Sequence, residues 1–193
     1  MIMDIEYEAT FYPIDKDKMR AKLRQAGAKL IKPEFLMKRI NFYPPLEKRK
    51  EPGWIRVRDE GDKITMSFKA NYPGEGIEVQ KEICLEVNDY DKAIAFLDVI
   101  LERKAYQETK REIWELDGVE IDLDTWPWLE PFVEIEGKNE AEVKKVSEKL
   151  GFDYSQAIFA AVWELYYRKY GVPHTVVNDE IKRATFKDRN PFI

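Results

Sequence analysis

Alternation of apolar and charged residues with a period of two recurs along this chain, and it limits the fold more than any other feature. Asp4-Ile5-Glu6-Tyr7-Glu8-Ala9-Thr10-Phe11 places Ile5, Tyr7, Ala9 and Phe11 on one strand face and Glu6, Glu8 and Thr10 on the other. Two carboxylates two residues apart on one face repel each other. The repulsion is relieved either by water, which screens it, or by a cation set between them. The same pattern returns in Trp54-Ile55-Arg56-Val57-Arg58, in Ile64 to Lys69, in Ile77 to Val87, in Thr109 to Leu116, in Val119 to Asp124 and in Phe132 to Gly137. Gathered by face, the polar sides hold Glu6, Glu8, Arg56, Arg58, Lys69, Glu82, Glu86, Arg111, Asp122, Asp124, Glu134 and Glu136.

Helical stretches lie between these segments. Asp15 caps a helix with an apolar stripe of Met19, Leu23 and Ala26 that Gly27 ends, and Asp89 opens one carrying Ala93, Phe96, Leu97 and Ile100. Asn139 with Glu142 forms a capping box before a helix closed by Gly151, and an aromatic-rich helix is expected from Tyr154 through Tyr170. Phe35 to Tyr43 reads as a further extended segment, and Glu47 to Glu51 as a solvated turn. The sum is an α+β protein with a large antiparallel sheet, able to curl on itself. Helices with apolar stripes need an apolar sheet face to cover. If they cover the outside of a curled sheet, the charges point inward. The alternative is a plain barrel with its charges in water.

The totals fit one domain. The chain has 193 residues, 44% hydrophobic and 36% charged, against about a quarter charged in ordinary domains. We read residues 1–171 as one domain and 172–193 as a tail packed on it. Lys and Arg number 32 against 37 acidic residues, a net charge of −5, which argues against bulk nucleic-acid or anionic-membrane binding. Cys84 is the only cysteine and His174 the only histidine, so an intrachain disulfide, a cysteine zinc site and a Ser/His/Asp triad are not expected. No signal peptide or apolar span of membrane length is visible, giving a cytoplasmic expectation. Neither a phosphate-binding Gly-x-x-x-x-Gly-Lys loop nor a dinucleotide Gly-x-Gly-x-x-Gly is present.

Charges of both signs inside a barrel are costly unless they pair or bind ions. Clustered carboxylates suit Mg²⁺ or Mn²⁺, and clustered Arg and Lys suit phosphate oxygens. Together they describe a site for a metal-bound polyphosphate. At this point the chain resembles the CYTH superfamily, the triphosphate tunnel metalloenzymes that include class IV adenylate cyclases and thiamine triphosphatases. The resemblance rests on Glu6-Tyr7-Glu8-Ala9-Thr10, Ile55-Arg56-Val57-Arg58, Lys69, Arg111 to Trp114, Leu123-Asp124 and Phe132-Val133-Glu134-Ile135-Glu136-Gly137, in family order.

It implies an eight-stranded antiparallel β tunnel, a closed barrel with helices packed outside. It implies Glu6, Glu8, Asp124, Glu134 and Glu136 as ligands of Mg²⁺ or Mn²⁺, and Arg56, Arg58, Lys69 and Arg111 as phosphate-binding residues. Glu6, Glu8, Lys69 and Arg111 stand as the catalytic set. The implied substrate is a small-molecule triphosphate: ATP, thiamine triphosphate or inorganic triphosphate, hydrolysed or, for ATP, cyclised to cyclic AMP. A triphosphate-binding module with weakened catalysis is the other reading. Two positions depart from the family pattern. Thr10 stands where the motif has lysine, and Thr109 where a basic residue often precedes Arg111. Trp126 and Trp128 fall where a loop would cover a tunnel mouth, with packing as their expected role. The last helix would serve as core or as the face of a homodimer.

Overall fold

The computed structural model describes residues 3–50, 52–72, 74 and 76–193. Glu51 of the expected turn, and Pro73 and Glu75 of the loop before the sixth strand, lie outside the described residues.

Ten strands form one sheet: β1 (Asp4–Ile5), β2 (Tyr7–Phe11), β3 (Lys29–Phe42), β4 (Trp54–Asp59), β5 (Ile64–Asn71), β6 (Gln80–Val87), β7 (Arg103–Leu116), β8 (Val119–Thr125), β9 (Phe132–Gly137) and β10 (Arg183–Ala184). The order is β1-β6-β5-β4-β3-β7-β8-β9-β2, with β10 paired to β7. The two ends of this row are consecutive in sequence. The opening strand changes neighbours at Glu6: Asp4 and Ile5 pair with Glu82 and Lys81, while Tyr7 to Phe11 pair with Gly137 to Val133. Glu6 donates its backbone N–H to the Gln80 carbonyl at 3.1 Å. One segment thus joins both edges and closes the barrel, which removes the exposed strand edges. Counted as one strand, β1 and β2 bring the tunnel to eight, as the resemblance implied.

Among the described residues there are four α-helices: α1 (Lys16–Ala26), α2 (Tyr90–Asp98) and α3 (Glu140–Lys149) cover the outside, and α4 (Trp163–Tyr170) lies at the tunnel mouth, where Trp163 lines the cavity. Asp15 caps α1 by accepting from the N–H groups of Asp17 and Lys18 at 3.0 Å, and Gly27 ends it at φ 84°. Helices α1 and α3 bury the outer faces of β2, β8 and β9 through Met19, Leu23, Val143 and Val146 against Ala9, Ile121, Val133 and Ile135. Helix α2 sets Ile94 and Leu97 against Ile40, Phe42 and Val57. The β7–β8 hairpin turns at Asp117 and Gly118, φ 56° and 82°, the geometry of a tight antiparallel turn. Among the described residues no helix is long and apolar enough to cross a membrane.

Several expectations need correction. Strand β3 begins at Lys29, not Phe35, and β7 at Arg103, not Thr109, so these two strands form the longest pairing, interrupted by bulges. Ile77 to Val79 is a short 3₁₀ turn, so β6 starts only at Gln80. Phe96 is exposed on α2, where Leu97 and Ile94 supply the buried stripe, and Ile100 is exposed in the turn beyond the end of the helix. The aromatic helix is shorter than its composition suggested. Tyr154–Gln156 forms a 3₁₀ turn, Ile158 bridges to Thr10, and only Trp163–Tyr170 is helical. The Ile158 N–H and carbonyl both bond the Thr10 backbone, at 2.9 and 3.1 Å, and that pairing competes with helix. The tail carries β10, and Phe192 lies against Trp128, Tyr166 and Tyr170.

Candidate active site

Period-two alternation around a closed barrel leaves one side-chain set inside, and that set is charged. A cavity of about 1070 Å³ runs through the barrel, and all nine residues proposed from sequence line it: Glu6, Glu8, Arg56, Arg58, Lys69, Arg111, Asp124, Glu134 and Glu136. Burying Ala9, Val57, Ile121, Val133 and Ile135 against the helices leaves these charges no other side. Glu82 joins the lining, whereas Glu86 and Cys84, further along β6, are exposed.

The charges are sorted by strand. Cations come from β3, β4, β5 and β7. Carboxylates come from Glu6 and from β2, β6, β8 and β9, with Glu60 just beyond β4. Lys69 Nζ lies 2.6 Å from Glu6 Oε2, Arg56 bonds Glu82 at 2.9 Å and Arg58 bonds Glu60 at 2.7 Å. Arg111 is the hub of the acidic side. It contacts Asp122, holds Asp124 through Nε and Nη2 at 2.8 and 2.7 Å, and reaches Glu134 at 2.5 Å. Gln80 donates to Glu8 at 3.1 Å.

The electrostatics follow from burial and sorting. Burial, opposed by Lys69, raises the Glu6 carboxyl to about 8. Burial and the neighbouring Glu8 raise Glu136 to about 7. Burial with Glu8 and Asp124 pushes Glu134 well above the carboxylate range, and burial pushes Asp122 up against the pull of Arg111. For Glu82 burial acts in the raising direction, but Arg56, a hydrogen bond with Glu6 and Lys69 together bring it to about 2. Lys69 is buried, yet Glu8, Glu6 and Glu82 hold its pKa above the usual lysine value.

The acidic side has the chemistry of a hard-cation site. Glu8 and Glu136 are directly paired across β2 and β9, with Glu134 two residues away on the same face, and all donors are carboxylate oxygens. Burial first, and then the charge of Glu8, raise the carboxyls of Glu134 and Glu136, and a divalent ion among them relieves that repulsion. Among the described residues no three acidic, histidine or cysteine side chains stand in a ready metal-holding arrangement. Glu134 is engaged by Arg111 and Glu8 by Gln80.

The sequence reading missed Arg39, Asn41, Glu60, Gln80, Gln107 and Glu120, all of which line the cavity. Arg39 and Asn41 were legible, since Ile40 and Phe42 alternate with them as Ile55 and Val57 do with Arg56 and Arg58. Trp126 lines the tunnel, while Trp128 does not: its indole donates to the Asp188 carbonyl at 3.1 Å. Thr10 is buried opposite Glu134, and Thr109 accepts from Arg39. His174 is exposed at the tunnel rim beside Trp163, ring centroids 5.4 Å apart.

Comparison with known proteins agrees with this geometry. No curated protein matches the chain. Among solved structures it resembles a putative adenylate cyclase from Vibrio parahaemolyticus, with TM-score 0.70 and 12% identity over 84% of this chain and 98% of that one. A conserved hypothetical protein from Pyrococcus furiosus gives TM-score 0.68 and 21% identity over 83% and 99% of the two chains. A putative adenylyl cyclase from Hippeastrum, described as revealing a dominant triphosphatase activity, gives 0.55 and 12% over 90% and 99%. At such identities the likeness is one of fold. The family model for the CYTH domain matches residues 4–159, which covers the whole tunnel except β10, and the chain therefore belongs to the CYTH domain family.

Proposed function

We propose that the protein is a divalent-metal-dependent enzyme acting on a triphosphate-containing substrate, by hydrolysis or, with ATP, by cyclisation. The observation that carries this reading is the division of one buried cavity into a cationic and a carboxylate side. A polyphosphate with its metal is the small ligand whose charge distribution complements both. Arg56, Arg58, Lys69 and Arg111 bind phosphate oxygens by exchanging carboxylate partners for phosphate ones, and Arg forks do so bidentately. Glu6, Glu8, Asp124, Glu134 and Glu136 would hold Mg²⁺ or Mn²⁺. When bound, the metal supplies charge neutralisation and an activated oxygen nucleophile. Lys69, held protonated, stabilises charge that develops on the transferring phosphoryl group.

Incubation with Mg²⁺ or Mn²⁺ and inorganic triphosphate, ATP or thiamine triphosphate tests this. Release of phosphate, pyrophosphate or cyclic AMP from at least one is expected, and none from any overturns it. The second reading, a triphosphate-binding module with weak turnover, is favoured by Thr10. Its position is the register partner of Glu134, its side chain is too short to carry a cation into the tunnel, and its backbone is fixed to Ile158. Tight binding by calorimetry without product, and turnover gained in Thr10→Lys, would support it; product at ordinary rates from the wild type would exclude it.

A further inference from the structure

The cations lining the cavity form a nearly complete set of ion pairs, and Arg39 is the exception. Lys69, Arg56, Arg58, Lys63, Arg111, Lys104 and Arg49 each have a carboxylate partner. Among the described residues Arg39 has none, although it is only 5% exposed. Its guanidinium donates to the Thr109 hydroxyl and lies over the Trp126 ring, 4.8 Å from the centroid. Its register partner on β4 is Arg58, so its nearest charged neighbour across the sheet has the same sign. Burial, and then Arg56, Arg58 and Arg111, push its pKa well down.

Asp124 opposes that push from a distance, but among the described residues no carboxylate touches the guanidinium, and a buried cation without a contacting counter-charge is among the costliest features a core can hold. Three N–H donors in this part of the lining are also buried with no acceptor: Arg39 Nε, Arg56 Nε and Trp126 Nε1. Stacking on Trp126 and the Thr109 hydrogen bond fix the guanidinium plane without neutralising it. Such a group is held in readiness for an anion with several acceptor oxygens.

We propose that Arg39, oriented by Thr109 and Trp126, is an anion-binding residue of the tunnel that takes one phosphoryl group of a polyphosphate. Resting on the triphosphate reading above, it adds a cation from β3 that none of the matched motif segments contains. It also gives Thr109 a role: a longer cation there would meet Arg39 head-on, whereas the hydroxyl accepts from it.

The test is titration with imidotriphosphate, which resists hydrolysis, in the presence of Mg²⁺, on wild type, Arg39→Gln, Arg39→Lys and Arg56→Gln, with ligand-free melts alongside. Arg39→Gln is expected to bind roughly 10- to 100-fold more weakly, the range of a lost charge-assisted hydrogen bond. The ligand-free variant should melt no lower than wild type, because an uncompensated charge has been removed. Unchanged affinity in Arg39→Gln overturns the assignment, and so does a lowered ligand-free melting temperature, which marks a purely structural role. If Arg39→Gln does not fold, Arg39→Lys decides: a loss of roughly five-fold or more supports the fork, and none refutes it. Weakened binding in Arg56→Gln with intact binding in Arg39→Gln fails this inference alone. Absence of binding in the wild type fails the functional reading and this inference together.

Discussion

Arg111→Met isolates the energetics of the acidic side. One guanidinium contacts Asp122 and Asp124, which are nearly enclosed, and Glu134, which is partly buried. Removing one partner of a buried pair costs about 3–5 kcal/mol, and here three carboxylates share the partner. They have an escape, which is to take up a proton at about 1.4 kcal/mol per pH unit above the folded pKa. Burial already lifts Asp122 and Glu134 well above the carboxylate range while Arg111 opposes the lift. That places the cost near the lower end, about 3 kcal/mol at neutral pH. For a chain of this length it lowers Tm by roughly 6–12 °C.

The sign of the pH dependence follows from linkage. Both groups hold their proton more tightly in the folded state, so their contribution is present below the ordinary carboxylate range and is lost as pH rises. Losing Arg111 raises the folded pKa values further and extends that loss to higher pH. Thermal melts in chelator at about pH 5, 7 and 8.5 should show a deficit against wild type that is smallest at acid pH and largest at alkaline pH. A deficit equal at all three values, or none at the highest, refutes the reasoning.

Other outcomes follow from the same contacts. Glu6, raised from 4.5 to about 8, and Glu136, raised to about 7, bind protons preferentially in the folded state. Metal-free wild type should therefore lose melting temperature as pH climbs from about 5 to 8.5, while the Glu82 contribution, with its pKa near 2, is already complete at pH 5. A rising profile would contradict the assignment. Glu8→Gln keeps the shape but removes one carboxylate of the facing Glu8–Glu136 pair, so the thermal shift produced by Mn²⁺ should fall sharply; an unchanged shift places the ion elsewhere. Phe192→Ala strips a half-buried ring from Trp128, Tyr166 and Tyr170, at a cost of about 2 kcal/mol by chemical denaturation. No measurable cost would show the tail to be energetically idle.

The sequence alone determined which residues share a face, because strand alternation is a local property set by the pleat. It determined the helix caps at Asp15, Asp89 and Asn139, since a cap depends on residues two or three positions away. Together with the family resemblance, that alternation brought Glu6, Glu8, Arg56, Arg58, Lys69, Arg111, Asp124, Glu134 and Glu136 together as candidates before any fold was known. Tertiary structure decided what depends on distant contacts. Closure comes from Glu6, where one strand leaves β6 for β9, and nothing in the neighbouring residues encodes that exchange. The pairing of Thr10 with Ile158 ended the aromatic helix that composition favoured. The partner of each charge was likewise a matter of geometry: alternation set Arg39 and Arg56 on equivalent faces, but only the assembled barrel gave Arg56 a carboxylate and left Arg39 without one.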